Sequence, residues 1–568
     1  MNTSFRLKLV LFGFWLLFGL VIGRLFYWQV LEADQLAIAA LKQHQDLKTI
    51  PASRGRILAA DKSSLAANEE VFLLFADPSR LEMKADLAAE KLAFLLAGEE
   101  EEAELEETIK NRLNQPDSLW VPLRRQVSRE VKKTIEELEI AGLGFERDQK
   151  RIYPEGTASA HLLGFVGHDH QGEPKGYFGL EGFYDLQLAG QPGVVRREKD
   201  ASGKPILLGF SYKEEKKDGR DLLTTLDRTV QFLVERKLKE ALINYGAVSG
   251  SVVVMDPDSG AILGMVSLPA YDPVTYFNFA EEDFPNPVIA SSFEPGSVFK
   301  ILVAASAVNE GVITSETRCL TCSGPRKIGG FEIHTWNDRY YPNSTVAEIL
   351  IHSDNVGMIF VAEKLGRESF LKYLKGFGFA EPTGIDLQEE DVSPLRPAEE
   401  WKEIDLATAS FGQGIAVTPL QMIRAAAVIA NRGWLIDPHV VSGIIEAGEV
   451  KEIKNRLPKR VLKSSAAESV SAMMVEAVEK GEAKWAKPEG FRIAGKTGTA
   501  QIPVEGHYDK EKTIASFVGF APAGRPRFVM LVTLKEPSSS PWGSETAAPL
   551  WFEIARELFI YWGVMPER

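Results

Sequence analysis

Between Ser251 and Pro269 the chain reads SVVVMDPDSGAILGMVSLP. Two apolar, β-branched runs, Ser251–Met255 and Ala261–Ser267, flank Pro257-Asp258-Ser259-Gly260, and that pattern is a β-hairpin signal. On the C-terminal side, helix-like apolar stretches cover 297–311, 345–352, 356–376 and 419–432. Strand-like stretches return late, at Arg492–Ala494, Thr513–Phe520 and Arg527–Leu534. Two early strands and three late ones with helices between predict one antiparallel sheet, flanked by helices and completed by both ends of the segment. Residues 241–568 then form a single α/β (α+β) unit.

On the N-terminal side, from Pro51 to about Gly246, short alternating runs are punctuated by Gly and Pro, with the acid stretch EEEEAELEE at Glu99 to Glu107. That run reads as a solvated helix face. Residues 1–30 hold no acid and three bases, Arg6, Lys8 and Arg24. Between Lys8 and Arg24 the sequence LVLFGFWLLFGLVIG carries no charge, and Tyr27 and Trp28 fall where an aromatic belt would sit. A cleaved signal peptide also begins this way, but the first small-x-small pair is Ala37-Ile38-Ala39, well past a plausible processing point. The expectation is a cytoplasmic tail at 1–8, a transmembrane anchor at 9–30 continued as helix through 31–48, a membrane-proximal domain over 31–240, and the α/β unit at 241–568. With bases before the span and Glu32 and Asp34 after it, the N-terminus is expected in the cytoplasm and the bulk outside.

The 568 residues carry 65 basic and 79 acidic side chains, a net −14, with 45% apolar residues and two cysteines. This composition excludes a largely disordered chain and a disulfide-stapled scaffold. Its acidity argues against a nucleic-acid-coating protein, and HExxH does not occur.

The chemistry-bearing residues lie in the α/β unit. EPGSVFK sets Ser297 at the start of an apolar helix with Lys300 three residues on, so hydroxyl and amine share a helical face. The neighbours are apolar nearly all round, which predicts burial, a lowered lysine pKa and an amine able to take a proton from Ser297. A second SxxK pair, Ser369 and Lys372, falls in the half-polar GRESFLKYLKGF. IHSDNVG places Ser353-Asp354-Asn355 on a tight turn between apolar stretches. FRIAGKTGTAQ places Lys496-Thr497-Gly498-Thr499 after an alternating run, as a strand would carry it, with a glycine that lets another backbone approach. The order SxxK, SxN, KTG, each in a fitting setting, points to a serine acyl-enzyme.

With these motifs the chain resembles the penicillin-recognising serine acyltransferases, and more narrowly the class B penicillin-binding proteins, D,D-transpeptidases that crosslink peptidoglycan. The hairpin stretch, ASFGQGIAVTPLQM at Ala409–Met422 and SFVGFAP at Ser516–Pro522 match that family's pattern. SRGRI at Ser53–Ile57, RIYPEGTASAHLLGFVG at Arg151–Gly167 and GLEGFYDLQLAGQPG at Gly179–Gly193 look like its elongated pedestal domain. The resemblance implies a penicillin-binding, serine β-lactamase-like transpeptidase fold with a pedestal and one N-terminal transmembrane helix. It implies Ser297 as nucleophile toward a D-Ala-D-Ala stem peptide, Lys300 as general base, Ser353 as proton relay and Lys496 as a positive charge beside it. Asn355 would hold the peptide backbone, Thr497 and Thr499 the substrate carboxylate, and the amides of Ser297 and Thr499 the oxyanion. Gly498 completes the substrate-binding strand. No cofactor or metal is implied. Expected partners are stem peptides, β-lactam antibiotics, a SEDS-family glycosyltransferase and other divisome or elongasome membrane proteins. The stretch before SRGRI, the SFGQGI form and the size look more like the division type than the elongation type.

Two departures stand out. RGRILAADKSS is longer than the family's RGxIxDRNG and lacks its Asn-Gly turn, and Val274 replaces the usual Asn after Tyr271-Asp272-Pro273. A β-lactamase or sensor shares the motifs, but no ExxxN loop lies between Asn355 and Gly412, and an inactive scaffold would not need Ser297, Lys300 and Lys496 intact. Cys319 and Cys322 in RCLTCSG leave a short-loop disulfide, free thiols or a zinc site open, the last short of ligands because His334 and His352 are too far apart. His168-Asp169-His170 reads as a surface turn.

Overall fold

The computed structural model describes residues 3–566 apart from 37–44, 98–101, 116–117, 171, 199–205, 207–210, 455 and 505–506. The chain divides into two compact units, one of residues 1–54 and 189–219 and one of residues 55–188 and 220–568.

The first unit carries the N-terminal helix, Thr3–Phe26, which continues as one wider turn over Tyr27–Leu31. Over Ser4–Leu31 it is long and apolar enough to cross a membrane, and none of its apolar window is buried within the protein. The helix expected to run on through residue 48 does not do so. Residues 37–44 lie outside the described set, and Gln45–Ile50 is a strand, paired antiparallel with Gly193–Glu198, which in turn pairs with Ser211–Glu214.

In the second unit the five expected strands form one antiparallel sheet. Its order is Ile262–Leu268, Ser249–Met255, Phe528–Lys535, His507–Ala521, Ala494–Val504. Successive side chains of a strand point to opposite faces, and a sheet covered on both sides is apolar on both. Val253 and Met255 therefore join the core that holds the Lys300–Asn309 and Pro419–Ala430 helices. Val252 and Val254 join the core under the Arg228–Tyr245 and Ala547–Tyr561 helices. In that second layer Trp551 is fully buried, and its indole N–H donates to the Met530 carbonyl at 2.9 Å. The hairpin turn is as expected: Asp256 accepts from the amides of Asp258 and Ser259, and Gly260 has φ +79°.

Two boundaries differ from the pattern. The stretch 356–376 is two helices, Asn355–Leu365 and Arg367–Gly376, because Gly366 takes φ +79° and ends the first. The KTG strand begins at Ala494, where the expected strand ended, so the motif lies inside it.

A second sheet begins in the residues before 240, in the order Val121–Val127, Ser64–Ala76, Ile57–Leu58, Asp221–Thr224, with Leu143–Ile152 also paired to Ser64–Ala76. It continues through Val441–Glu446 and Glu449–Glu452, which come from beyond residue 240. Hydrogen bonding across this sheet does not stop at residue 240. The lengthened RGRILAADKSS loop still closes as a hairpin: Ala59 N–H donates to Ser63 O, Asp61 accepts from Ser63 N–H, and Lys62 sits at φ +67°. In the acid run, residues 99–101 lie outside the described set. The Glu102–Leu113 helix buries Leu105, Ile109 and Leu113 and leaves Glu104 and Glu107 exposed, with Glu102 and Glu106 half-buried.

Arg151 and Glu181, from two of the pedestal-like stretches, form a buried ion pair. The Arg151 Nε donates to Glu181 Oε1 at 2.7 Å, and another guanidinium N–H group reaches Gly55 O at 2.8 Å and Asn68 Oδ1 at 2.9 Å. The Glu181 side chain is 0% exposed, so deleting it strands a buried guanidinium. Glu181→Ala is expected to lower unfolding stability by about 3–5 kcal/mol. Thermal melts of wild type and variant check this, and an unchanged midpoint would refute it.

Candidate active site

The turn that carries Ser297 is the 3-10 helix Gly296–Phe299, which runs directly into Lys300–Asn309. Ser297 is half-buried at its mouth, whereas Lys300, one turn on, is 0% exposed. Three glycines allow the close approaches that hold this turn in place. Gly296 has φ +57° and its N–H donates to Gly412 O at 3.0 Å. A Cβ on Gly412 would lie 2.2 Å from the Gly296 carbonyl oxygen, and one on Gly498 would lie 2.9 Å from Val298 Cγ1. The glycine of KTG therefore does what the sequence suggests and lets the strand pack against the Ser297 turn.

Ser353 occupies the turn between the Val346–Ile351 and Asn355–Leu365 helices, with φ +53°. Such a backbone disfavours an L-residue and persists where the surroundings over-determine it. Here the next residue, Asp354, caps the following helix by accepting from Val356 N–H at 2.8 Å. The turn brings three atoms to Lys300. Its Nζ donates to Ser353 O at 2.6 Å, to Asn355 Oδ1 at 2.7 Å and to Ser353 Oγ at 3.3 Å. From the other side, Lys496 Nζ donates to the same Ser353 Oγ at 3.0 Å and to Thr497 Oγ1 at 3.2 Å.

Two buried amines thus converge on one hydroxyl. Burial removes water from both ammonium groups and disfavours the charged form. It pushes Lys496 down to about 8. It holds Lys300 well below the ordinary lysine range, and the nearby Lys496 charge pushes the same way. Asp354 and Glu482 oppose this weakly from nearby. A neutral Lys300 is a base, and Ser353 Oγ can pass a proton between the two amines.

Lys496-Thr497-Gly498-Thr499 lies on the edge strand of the five-stranded sheet, with Lys496 opposite Val518 and Thr499 opposite Ala515. An edge strand offers unpaired backbone groups along which an extended peptide can be added. Thr499 Oγ1 accepts from Gly543 N–H at 3.0 Å, leaving its own proton to donate.

An open cleft is lined by Ser297, Ser353, Asn355, Thr497, Gly498 and Thr499 together. All three motifs, far apart in sequence, meet there, with Lys300 and Lys496 buried behind it. The second SxxK pair stays outside: Lys372 is exposed and pairs with Glu310 at 3.0 Å. Motif reading missed Glu482, Trp336 and Trp542, which also line the cleft. The two indoles meet edge-on at 5.0 Å between centroids. No spacing rule marks them, because they come from separate loops.

Cys319 and Cys322 are joined in a disulfide. Among the described residues no group of three His, Cys, Asp or Glu side chains could hold a metal ion. His334 hydrogen-bonds Asp338 and Tyr340, and His352 stacks on Tyr341. His168 ends a strand and Asp169 caps the turn that follows, accepting from Glu173 N–H.

The penicillin binding protein transpeptidase domain family matches residues 250–559, and the penicillin-binding protein dimerisation domain family matches residues 49–224. The chain is 33% identical to stage V sporulation protein D of Bacillus subtilis, over 100% of this chain and 88% of that one. It is 30% identical to the peptidoglycan D,D-transpeptidase FtsI of Escherichia coli, over 97% and 91%. The crystal structure of penicillin binding protein 3 from Mycobacterium tuberculosis, complexed with aztreonam, superposes with a TM-score of 0.71 at 25% identity, covering 92% and 98%. Motif order, edge-strand geometry and these likenesses over nearly the whole chain agree: the chain belongs to the class B penicillin-binding proteins, the serine-type D,D-transpeptidases of peptidoglycan.

Proposed function

We propose that Ser297 is the acylated nucleophile of a membrane-anchored enzyme that joins D-Ala-D-Ala stem peptides, and that β-lactams acylate the same oxygen. The observation that carries this is the pair of buried amines, Lys300 and Lys496, on Ser353 Oγ at the cleft that Ser297 lines. Lys300 takes the Ser297 proton, and Oγ attacks the carbonyl of the penultimate D-Ala. The oxyanion faces the amides of Ser297 and Thr499. The C–N bond then breaks, and Ser353 relays the proton from Lys300 to the departing D-Ala amine. Asn355 holds the donor backbone, and Lys496, Thr497 and Thr499 receive its terminal carboxylate alongside the Gly498 backbone.

The 4–31 helix supports anchoring, since its exposed apolar side chains are suited to lipid rather than water. The basic residues before it favour a cytoplasmic N-terminus. We place the domain boundary for this function near residue 240, between pedestal and transpeptidase. The SFGQGI form supports septal synthesis, with a SEDS-family glycosyltransferase and divisome proteins as partners. The similarity to a sporulation protein favours a second setting, wall synthesis during sporulation. Localising a tagged copy tests this: midcell enrichment fits septal work, forespore enrichment the second setting, and a side-wall pattern would refute both.

The pH dependence of acylation follows from the two amines. Below about 8 Lys496 is protonated and attracts the penicillin carboxylate; above it that attraction is lost. Lys300 must be neutral to accept a proton, so protonating it at low pH also stops the reaction. The second-order acylation constant is expected to be bell-shaped, with its basic limb near pH 8. Stopped-flow acylation across pH 5 to about 10 checks it. A rate still rising above pH 9 would contradict the role given to Lys496.

A further inference from the structure

Glu482 begins the short turn Glu482–Ala486 that follows the Ser464–Lys480 helix. The backbone path into it is tight at Gly481, where a Cβ would lie 2.2 Å from Ala477 O and 3.3 Å from Ile351 O. The Glu482 side chain is open to solvent, yet it lines both the cleft with Ser297 and the smaller cavity beside Lys496. It is the one carboxylate among the described residues lining the cleft. No described residue hydrogen-bonds or ion-pairs with it, although Lys496 and Lys300 lie within electrostatic reach. The cleft wall partly desolvates it and raises its pKa, and Glu545 adds repulsion in the same direction.

The acylation steps above give this carboxylate no work, and its charge opposes an anionic donor. The second substrate is the opposite case. An amine acceptor arrives in water as an ammonium and becomes a nucleophile only after losing a proton. The two amines within reach of it, Lys300 and Lys496, repel a cation in their charged forms.

We propose that Glu482 is the acceptor-binding carboxylate of this transpeptidase, holding the side-chain ammonium of the incoming stem peptide at the acyl-enzyme and taking one of its protons. The proposal rests on the D,D-transpeptidase reading and extends it to the second half-reaction. The ammonium gives one proton to Glu482. The free amine forms a C–N bond to the acyl carbon as the ester C–O bond to Ser297 breaks. The second nitrogen proton passes through Lys300 to Ser297 Oγ, restoring the hydroxyl, and Glu482 releases its proton to solvent.

The test uses the full chain in detergent, an N-acyl-D-alanyl thioester as donor and Nα-acetyl-L-lysyl-D-alanine as acceptor. Products are resolved into amide and hydrolysed acid. Glu482→Gln is expected to lower the amide-to-acid ratio at subsaturating acceptor at least tenfold, raising the apparent KM for acceptor, with Glu482→Asp recovering part of it. Fluorescent-penicillin uptake reports that the variant is folded. An unchanged ratio overturns the proposal. So does an equal slowing of both products with a shifted pH profile of penicillin acylation, which would make Glu482 a modulator of Lys496. A wild-type chain that the thioester fails to acylate removes the transpeptidase reading and this proposal together. Acylated wild type with an unaffected ratio in Glu482→Gln removes this proposal alone.

Discussion

Ser297→Ala is expected to take up no fluorescent penicillin, while wild type carries a label that survives denaturing electrophoresis. The bond in question is an ester to Ser297 Oγ, and the two hydroxyls of the other motifs nearest it are already engaged. Ser353 Oγ already accepts from two amines, and Thr499 Oγ1 accepts from Gly543 N–H. Removing a nucleophile in an acyl-enzyme mechanism typically lowers turnover by roughly 10⁶-fold, because no alternative path shares the covalent step. The substitution removes one half-buried oxygen, so the fold should stand, and circular dichroism and melting should match wild type. Durable label on folded Ser297→Ala would overturn the assignment. A wild-type label lost within minutes would instead describe a hydrolase of β-lactams.

Lys300→Met carries the second large effect. Methionine keeps the length and volume of the stem while removing the amine, so the apolar core around Ile301, Leu302 and Val303 stays filled. Nothing then accepts the Ser297 proton, and the acylation rate constant is expected to fall roughly 10²- to 10⁴-fold, the usual span of a general base. Stability should hold or rise, since a buried amine is costly to desolvate and its replacement by an apolar group is often neutral or stabilising. Ser353 Oγ keeps its bond from Lys496, but Asn355 Oδ1 loses its 2.7 Å donor. The acid limb of the pH profile should vanish with Lys300. A variant that acylates at the wild-type rate, or that keeps the acid limb, would move the general base elsewhere.

The motifs were legible because each is a local device. Ser297 and Lys300 are one helical turn apart, Ser353-Asp354-Asn355 joins two helices, and KTG is three consecutive residues of a strand. The hairpin around Gly260 was legible for the same reason, being set by alternation and a turn of fixed type. Long-range features were not. The break at Gly366 looks like continuous helix in apolar periodicity, because a single glycine is tolerated inside many helices. The strand Val441–Glu446 carries nothing in its own residues to say that it pairs with Asp221–Thr224. Glu482, Trp336 and Trp542 reach the cleft from unrelated loops, and no spacing connects them to Ser297.

What the amino-acid order determined alone was therefore the local chemistry: an apolar N-terminal helix, a turn pairing a serine with an amine, a polar tight turn, and a glycine-bearing strand suited to close backbone approach. Only tertiary structure decided the environment of those groups. The Lys300 pKa is lowered because packing removes water from it and brings Lys496 to the same hydroxyl, and both effects depend on contacts across 53 and 143 residues of sequence. Desolvation and Coulomb interaction act through space, so a pKa belongs to the folded site and cannot be assigned to SxxK as a string.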